Sequence, residues 1–259
     1  MPQRRRLGWK WSATTIGTGI MATLKVLLWN LEWQRAGTPG GTAARAIMAD
    51  CDADLVCLTE ANLDILPVPH LIAGEADFGG PSKPGRRKVM LWSRSPWTGV
   101  DGIGRSTLPP GRFVRGRTQT PLGPLDVIGV CIPWRMAQVA TGRRDSKPWQ
   151  EHMRYLDGLE ALLSGSAGTA PNLLLGDFNQ AIPRRSAPYA VSERLNGVLA
   201  PRFPVATAGA IAGLSAPAID HLAFGAGLRC RSVVPLANVG GTGRRISDHV
   251  GLLITLEAA

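Results

Sequence analysis

The sequence predicts an α/β fold, and three observations carry the prediction. Short apolar runs that end in polar residues recur along the whole chain, segments of helical period lie between them, and one pair of runs is joined by a tight turn. The 259 residues suffice for one large domain or two small ones. No internal repeat or linker-like stretch divides them, so one domain is expected over residues 21–259, with residues 1–20 as a disordered extension.

Lys25–Asn30 (KVLLWN) and Asp54–Glu60 (DLVCLTE) read as strands on either side of a helix at Thr42–Asp50, and Lys88–Ser93 (KVMLWS) as a third strand. Arg112–Gln119 and Leu125–Ile132 form a hairpin through Pro121-Leu122-Gly123-Pro124, which mixes an antiparallel element into the architecture. Pro148–Leu163 carries Trp149, Met153, Leu156, Leu159 and Leu163 at helical spacing, and Asn172–Asp177 (NLLLGD) returns as a buried strand. A helix at Ser192–Leu199 precedes strands at Ile219–Phe224, Arg229–Leu236 and Val250–Leu256.

No apolar run approaches the length that spans a bilayer, which excludes an integral helical membrane protein. Cysteines at 51, 57, 131 and 230 have neither zinc-site spacing nor disulfide-scaffold density and read as reduced thiols. The net charge of +10 suits a polyanionic partner, or reflects a bias toward arginine, since lysine occurs only at positions 10, 25, 83, 88 and 147. Removing residues 1–20 would take away four cations and no acid, leaving +6. Arg5-Arg6-Leu7-Gly8-Trp9-Lys10 is similar to a twin-arginine export signal, but the Thr- and Gly-rich stretch after it makes a poor apolar region. A cytoplasmic location is expected, with export as the minor alternative.

Four of the apolar strands begin or end on clustered polar residues: Asn30 and Glu32, Glu60, Asp177 and Asn179, and Asp248 with His249. One such position would be an ordinary solvated turn residue; the recurrence is the signal. Sheets fix side chains at strand ends while loops admit substrate, so catalytic groups collect there. The set is rich in carboxylate and amide oxygens, which favours a hard cation such as Mg²⁺ or Mn²⁺ and hence phosphate chemistry. Asp220 and His249 would supply the proton-moving pair.

Gly176-Asp177-Phe178-Asn179 after an apolar strand and Ser247-Asp248-His249 before the last one resemble motifs of the endonuclease/exonuclease/phosphatase superfamily, which includes DNase I. Trp29-Asn30-Leu31-Glu32, Leu58-Thr59-Glu60 and Ile219-Asp220-His221 are similar to its remaining motifs, in the same order, over residues 24–257. The resemblance implies a four-layer α/β/β/α sandwich in which two mixed sheets pack face to face. It implies metal binding by Glu60, with Asn30, Glu32 and Asp248 as direct or water-mediated partners. Asp177 and Asn179 would flank the scissile phosphate and attacking water, and His249, oriented by Asp220, would act as general base or phosphate-contacting acid. His221 has no catalytic role in this reading.

The sequence departs from the family at Cys131, where members carry a histidine or tyrosine; a thiol is a much weaker hydrogen-bond donor. Cys131, Trp134 and Arg135 are the substrate-contact candidates, with Arg135 or His152 to make good the missing donor. His152 alone reads as a surface helix residue. Basic segments at Lys83–Lys88, Arg105–Arg117, Arg143-Arg144, Arg184-Arg185 and Arg244-Arg245 would grip a nucleic-acid backbone if they surround one mouth. Trp134, at a strand end, is the stacking candidate, whereas Trp92 and Trp149 fit apolar patterns. The expected function is therefore a metal-dependent phosphodiesterase, a nuclease acting on DNA before RNA. The alternatives are a phosphomonoesterase, a phospholipid phosphodiesterase, or a catalytically impaired nucleic-acid-binding module. Stable membrane association is not expected, since no amphipathic anchor is evident, and a monomer is the default.

Overall fold

The computed structural model describes residues 22–66, 68–165, 172–200, 202–241 and 243–259. In chain order these form β1 (Thr23–Asn30), α1 (Pro39–Asp50), β2 (Leu55–Asn62), β3 (Leu71–Ala73), β4 (Arg86–Ser93), β5 (Trp97–Asp101), β6 (Phe113–Thr120) and β7 (Gly123–Cys131). They continue with α2 (Gln150–Gly165), β8 (Leu173–Asp177), α3 (Tyr189–Leu199), β9 (Asp220–Phe224), β10 (Leu228–Pro235) and β11 (Leu252–Ala258). The extension expected at residues 1–20, with its export-like motif, lies outside the described residues.

Two sheets result, one in the order β10-β11-β1-β2-β4-β3 and the other β5-β6-β7-β8-β9. Both are mixed. In the first, β1 and β2 run parallel, and in the second β7 and β8 do; the other pairings are antiparallel. Each parallel pair is joined through a helix, α1 or α2, as a parallel connection requires a long crossover.

The strands read as nearly continuous apolar runs because both of their faces are covered. In β1, Leu24, Val26 and Leu28 face the second sheet and meet Val127, Leu173, Leu175 and Leu222 in the central core. The alternate residues Leu27 and Trp29 turn outward to Ala44 and Met48 of α1. On the far side Ile128, Val130 and Leu174 pack under Tyr155, Leu156 and Leu159 of α2 and Leu195 and Val198 of α3. The layers are thus helix, sheet, sheet, helix, the α/β sandwich that the resemblance implied. Among the described residues no helix is long and apolar enough to cross a membrane.

Two differences from expectation have local causes. The first helix starts at Pro39 rather than Thr42, because Thr38 caps it, its hydroxyl accepting the Gly41 N–H at 3.0 Å, with proline in the first turn. Gly41, a helix breaker by composition, is needed there: a Cβ would lie 1.8 Å from the Arg35 carbonyl. β3 and β5 were not expected; they are short sheet-edge strands with little alternation to betray them.

Candidate active site

The sheet registers bring the polar strand ends together. Cys131 at the end of β7 pairs with Asp177 at the end of β8, and Asp177 with Asp220 at the start of β9. In the other sheet Asn30 pairs with Thr59. The Asn30 amide reaches across and donates to Asp177 Oδ2 at 3.1 Å, tying the two rows at the same edge of the sandwich.

The Gly-Asp-Phe-Asn segment has a physical reason at each position. Gly176 sits where a Cβ would be 1.8 Å from the Val130 carbonyl of the neighbouring strand. Phe178 is fully buried, edge-on to His221 at 5.3 Å. Asn179 takes a left-handed conformation, φ +54°, that asparagine tolerates well. Its backbone N–H donates to Asp177 Oδ1 at 2.8 Å, and its amide donates to Asp177 Oδ2 and to the Ile132 carbonyl, each at 2.9 Å.

The Ser-Asp-His segment is pinned to β1. Ser247 Oγ donates to the Asn30 carbonyl at 2.6 Å, and the Trp29 indole donates to the His249 carbonyl at 3.1 Å. His249 Nδ1 then meets Asp220 Oδ2 at 2.5 Å. Burial opposes the imidazolium, but the adjacent charge and hydrogen bond of Asp220, helped by Asp177 and Asp248, prevail and push its pKa up to about 10. Burial raises the Asp177 carboxyl to about 7; Asp220 and Glu60 add to this and His249 opposes it.

A cleft of about 600 Å³ opens over this edge, and Asn30, Glu60, Asp177, Asn179, Asp248, His249 and Trp134 line it. Asp220 stands behind His249 and faces an adjoining cavity of about 300 Å³. Glu32 is exposed and does not line the cleft; its carboxylate accepts the Asp248 N–H at 3.0 Å and so braces that loop.

Three expectations are corrected. Cys131 does not face the cleft: it is buried in the core between the sheets, where desolvation pushes the thiol up to about 12. Arg135 is exposed and does not line the cleft. His152 is no surface residue. It is fully buried, its Nδ1 at 2.7 Å from the Pro133 carbonyl and its Nε2 at 2.7 Å from the Gln180 amide. Burial lowers it to about 4 against that Pro133 bond, so it is a neutral brace beneath the loop and not a phosphate contact. His221 is likewise buried, held between Thr207 and the Gln180 carbonyl, and burial lowers it to about 4.

Sequence reasoning placed Lys88 and Arg112 in basic segments expected to meet a phosphate backbone but did not single either out as a site residue. Both are buried cations, and both line the cleft, as do Arg86 and Arg144. Lys88 Nζ lies 2.5 Å from Glu60 Oε1 and about 5 Å from the ring centres of Trp33 (4.9 Å) and Phe78 (5.4 Å). Register alone could have found it, since Glu60 falls between the paired positions Thr59↔Val89 and Ala61↔Arg87. Arg184 and Arg185 do not line this cleft, nor do Arg244 and Arg245.

Glu60, Asn30 and Asp248 line the same cleft with oxygen-bearing side chains, the donor type that a hard divalent cation prefers. Glu60 is held at φ +46°, a left-handed conformation uncommon for a residue other than glycine, which Asp52 and His70 away from the cleft also adopt. Asp177, Asp220 and His249 also offer ligand atoms within 4.8 Å of one another. In that trio, however, the histidine nitrogen nearest Asp220 is spent on their mutual hydrogen bond, which suits proton transfer better than metal binding.

A model of the Endonuclease/Exonuclease/phosphatase family matches residues 27–249. Among solved structures, a 3'-5' exonuclease from Neisseria meningitidis is 18% identical, covering 91% of this chain and 99% of its own, with a TM-score of 0.64. Humanized TDP2 of D. rerio is 13% identical over 91% and 99%, with a TM-score of 0.63. An endonuclease/exonuclease/phosphatase from Beutenbergia cavernae is 17% identical over 92% of this chain and 72% of its own, with a TM-score of 0.56. No curated protein sequence matches.

Proposed function

The chain belongs to the Endonuclease/Exonuclease/phosphatase family, and from that premise we propose that it is a divalent-metal-dependent phosphodiesterase that hydrolyses nucleic acid, DNA before RNA, by attack of water. One observation carries the reading: His249, backed by Asp220 at 2.5 Å, stands beside Asp177 and Asn179 in a cleft that basic side chains also line. Solved neighbours described as a telomere-specific retrotransposon endonuclease domain and as a phosphatase bound to a product DNA hairpin agree with nucleic acid as the substrate class.

In this mechanism His249 starts as the imidazolium that Asp220 stabilises, so it donates a proton or hydrogen bond to the phosphate. Asp177, with its carboxyl near 7, accepts the proton of the attacking water, which Asn179 helps to orient. The water oxygen bonds to phosphorus as the ester P–O bond breaks, its electron pair leaving on the departing ester oxygen, which takes up the proton that His249 gives. Glu60, with Asn30 and Asp248, would hold Mg²⁺ or Mn²⁺, whose bound charge neutralises phosphate oxygens as that bond breaks.

The test is release from single- and double-stranded DNA, abasic DNA, RNA, inositol phosphates and a generic phosphodiester, with Mg²⁺, Mn²⁺ or EDTA. Cleavage of DNA that needs the metal and drops at least about a hundredfold in His249→Ala and Glu60→Ala is expected. A folded protein that turns over none of these, or only a non-nucleic phosphoester, would reject the reading.

A further inference from the structure

Among the described residues only two lysine or arginine side chains are buried, Lys88 and Arg112, and both lie in the cleft wall. Lys88 is answered by the Glu60 carboxylate at 2.5 Å. Arg112 has no carboxylate within ion-pairing distance among the described residues. Its Nη1 donates to the Cys131 carbonyl at 3.2 Å and passes 3.8 Å from the Cys131 sulfur. A buried charge without a counter-charge is expensive, and its retention at the wall of an open cleft is explained when an anion completes it.

The fold holds this guanidinium firmly. Arg112 directly precedes β6, and its carbonyl accepts the Cys131 N–H at 3.0 Å and the Tyr155 hydroxyl at 2.8 Å. Arg112 is thereby the flanking member of the row that runs through Cys131 and Asp177 to Asp220. In that row the Cys131 thiol is a weak donor packed into the core, so the strong donor at this strand end is the arginine. Arginine also presents a rigid fork of N–H groups whose spacing matches two phosphate oxygens, and anchoring one nitrogen on a carbonyl leaves the others free to point into the cleft.

We propose that Arg112 is the phosphate-binding cation of this site, its guanidinium donating to a non-bridging oxygen of the phosphoester facing Asp177, Asn179 and His249. The inference rests on the phosphoesterase reading for the identity of the anion. It makes Arg112, and not Arg135 or His152, the residue that takes over the donor role that Cys131 cannot fill.

The experiment titrates inorganic phosphate into the full chain with Mg²⁺ by calorimetry, beside turnover of DNA, for the wild type, Arg112→Gln and Arg112→Lys. Circular dichroism and melting temperature report the fold of each. Arg112→Gln keeps a donor for the Cys131 carbonyl and loses the charge; it should bind phosphate about ten- to a hundredfold more weakly, with a matching rise in KM for DNA. Arg112→Lys keeps the charge and loses the fork, and should fall between the two. Wild-type protein that binds phosphate through Arg112 but cleaves no phosphoester would reject the functional reading and leave the anion site standing. Wild-type protein that cleaves DNA, with a folded Arg112→Gln whose phosphate affinity and KM stay within twofold, would overturn the assignment of Arg112 alone. If Arg112→Gln does not fold, unchanged phosphate affinity in Arg112→Lys overturns it equally, as does a wild type that binds no phosphate.

Discussion

The Glu60–Lys88 pair changes how a metal would enter this site. Lys88 Nζ sits 2.5 Å from the carboxylate with its side chain only 11% exposed, so it is a held partner and not a loose surface ion. A divalent ion reaching Glu60 would have to displace that ammonium or share the carboxylate with it. Lys88→Met keeps the aliphatic stem against Trp33 and Phe78 while removing the competitor. We expect Lys88→Met to bind Mn²⁺ several-fold more tightly, about 1 kcal/mol, and to lose roughly 1–3 kcal/mol of metal-free stability because Glu60 is left without its partner. Calorimetric titration of Mn²⁺ and urea unfolding measure the two effects; unchanged or weaker Mn²⁺ binding would mean that Glu60 is not a principal ligand. At this scale the motif residues were legible because each ends an apolar run. Lys88 and Arg112 were legible only as members of basic segments, because the individual role of a cation at the head of a strand emerges once the register sets it beside a carboxylate or a carbonyl.

Burial alone did not decide which elements were legible, since β10, an edge strand with no buried residue, was read from its sequence. The strands of the two central parallel pairs show as apolar runs, whereas β3 and β5 lie at sheet edges with mostly half-exposed or exposed residues. Glycine illustrates how the same residue means different things in different elements. At Gly176 in β8 an added methyl would strike the Val130 carbonyl, a backbone atom that cannot yield, at φ +142°. Gly197 lies within α3 with nothing within 4 Å of the added Cβ. Gly176→Ala should therefore cost more than about 3 kcal/mol or fail to fold, and Gly197→Ala should stabilise by roughly 0.5–1 kcal/mol through helix propensity. Urea denaturation of both variants checks the pair. A well-folded Gly176→Ala would contradict the close approach of β7 and β8 on which the alignment of Cys131 with Asp177 depends.

For the molecule as a whole, the two packed sheets place the polar edge that bears the cleft over two buried histidines, and those histidines make stability depend on pH. His152 and His221 are both lowered to about 4 from an ordinary 6.5, burial being the main cause, while their bonds to Pro133 and Gln180 oppose it. Gln180 links them, its side chain meeting His152 and its carbonyl accepting from His221. Between pH 6.5 and 4 the unfolded chain binds protons at these positions that the folded chain does not. Their contribution is therefore complete above about pH 6.5, declines as pH falls through that window and is exhausted below about 4, at most about 3 kcal/mol for each. Asp177 runs the other way: raised to about 7, it takes up a proton in the fold before the unfolded chain does, which offsets part of the loss. None of this was legible in the sequence, where His152 read as a surface residue, because the burial of a helix face depends on what packs against it. Urea unfolding at pH 7.5, 6.0, 5.0 and 4.5 should show stability falling toward acid. His221→Gln should be less stable at pH 7.5, since it loses the bond from Thr207, yet should lose less on acidification than the wild type. Equal losses in the two proteins would show that His221 is not among the groups that set the acid limit of the fold.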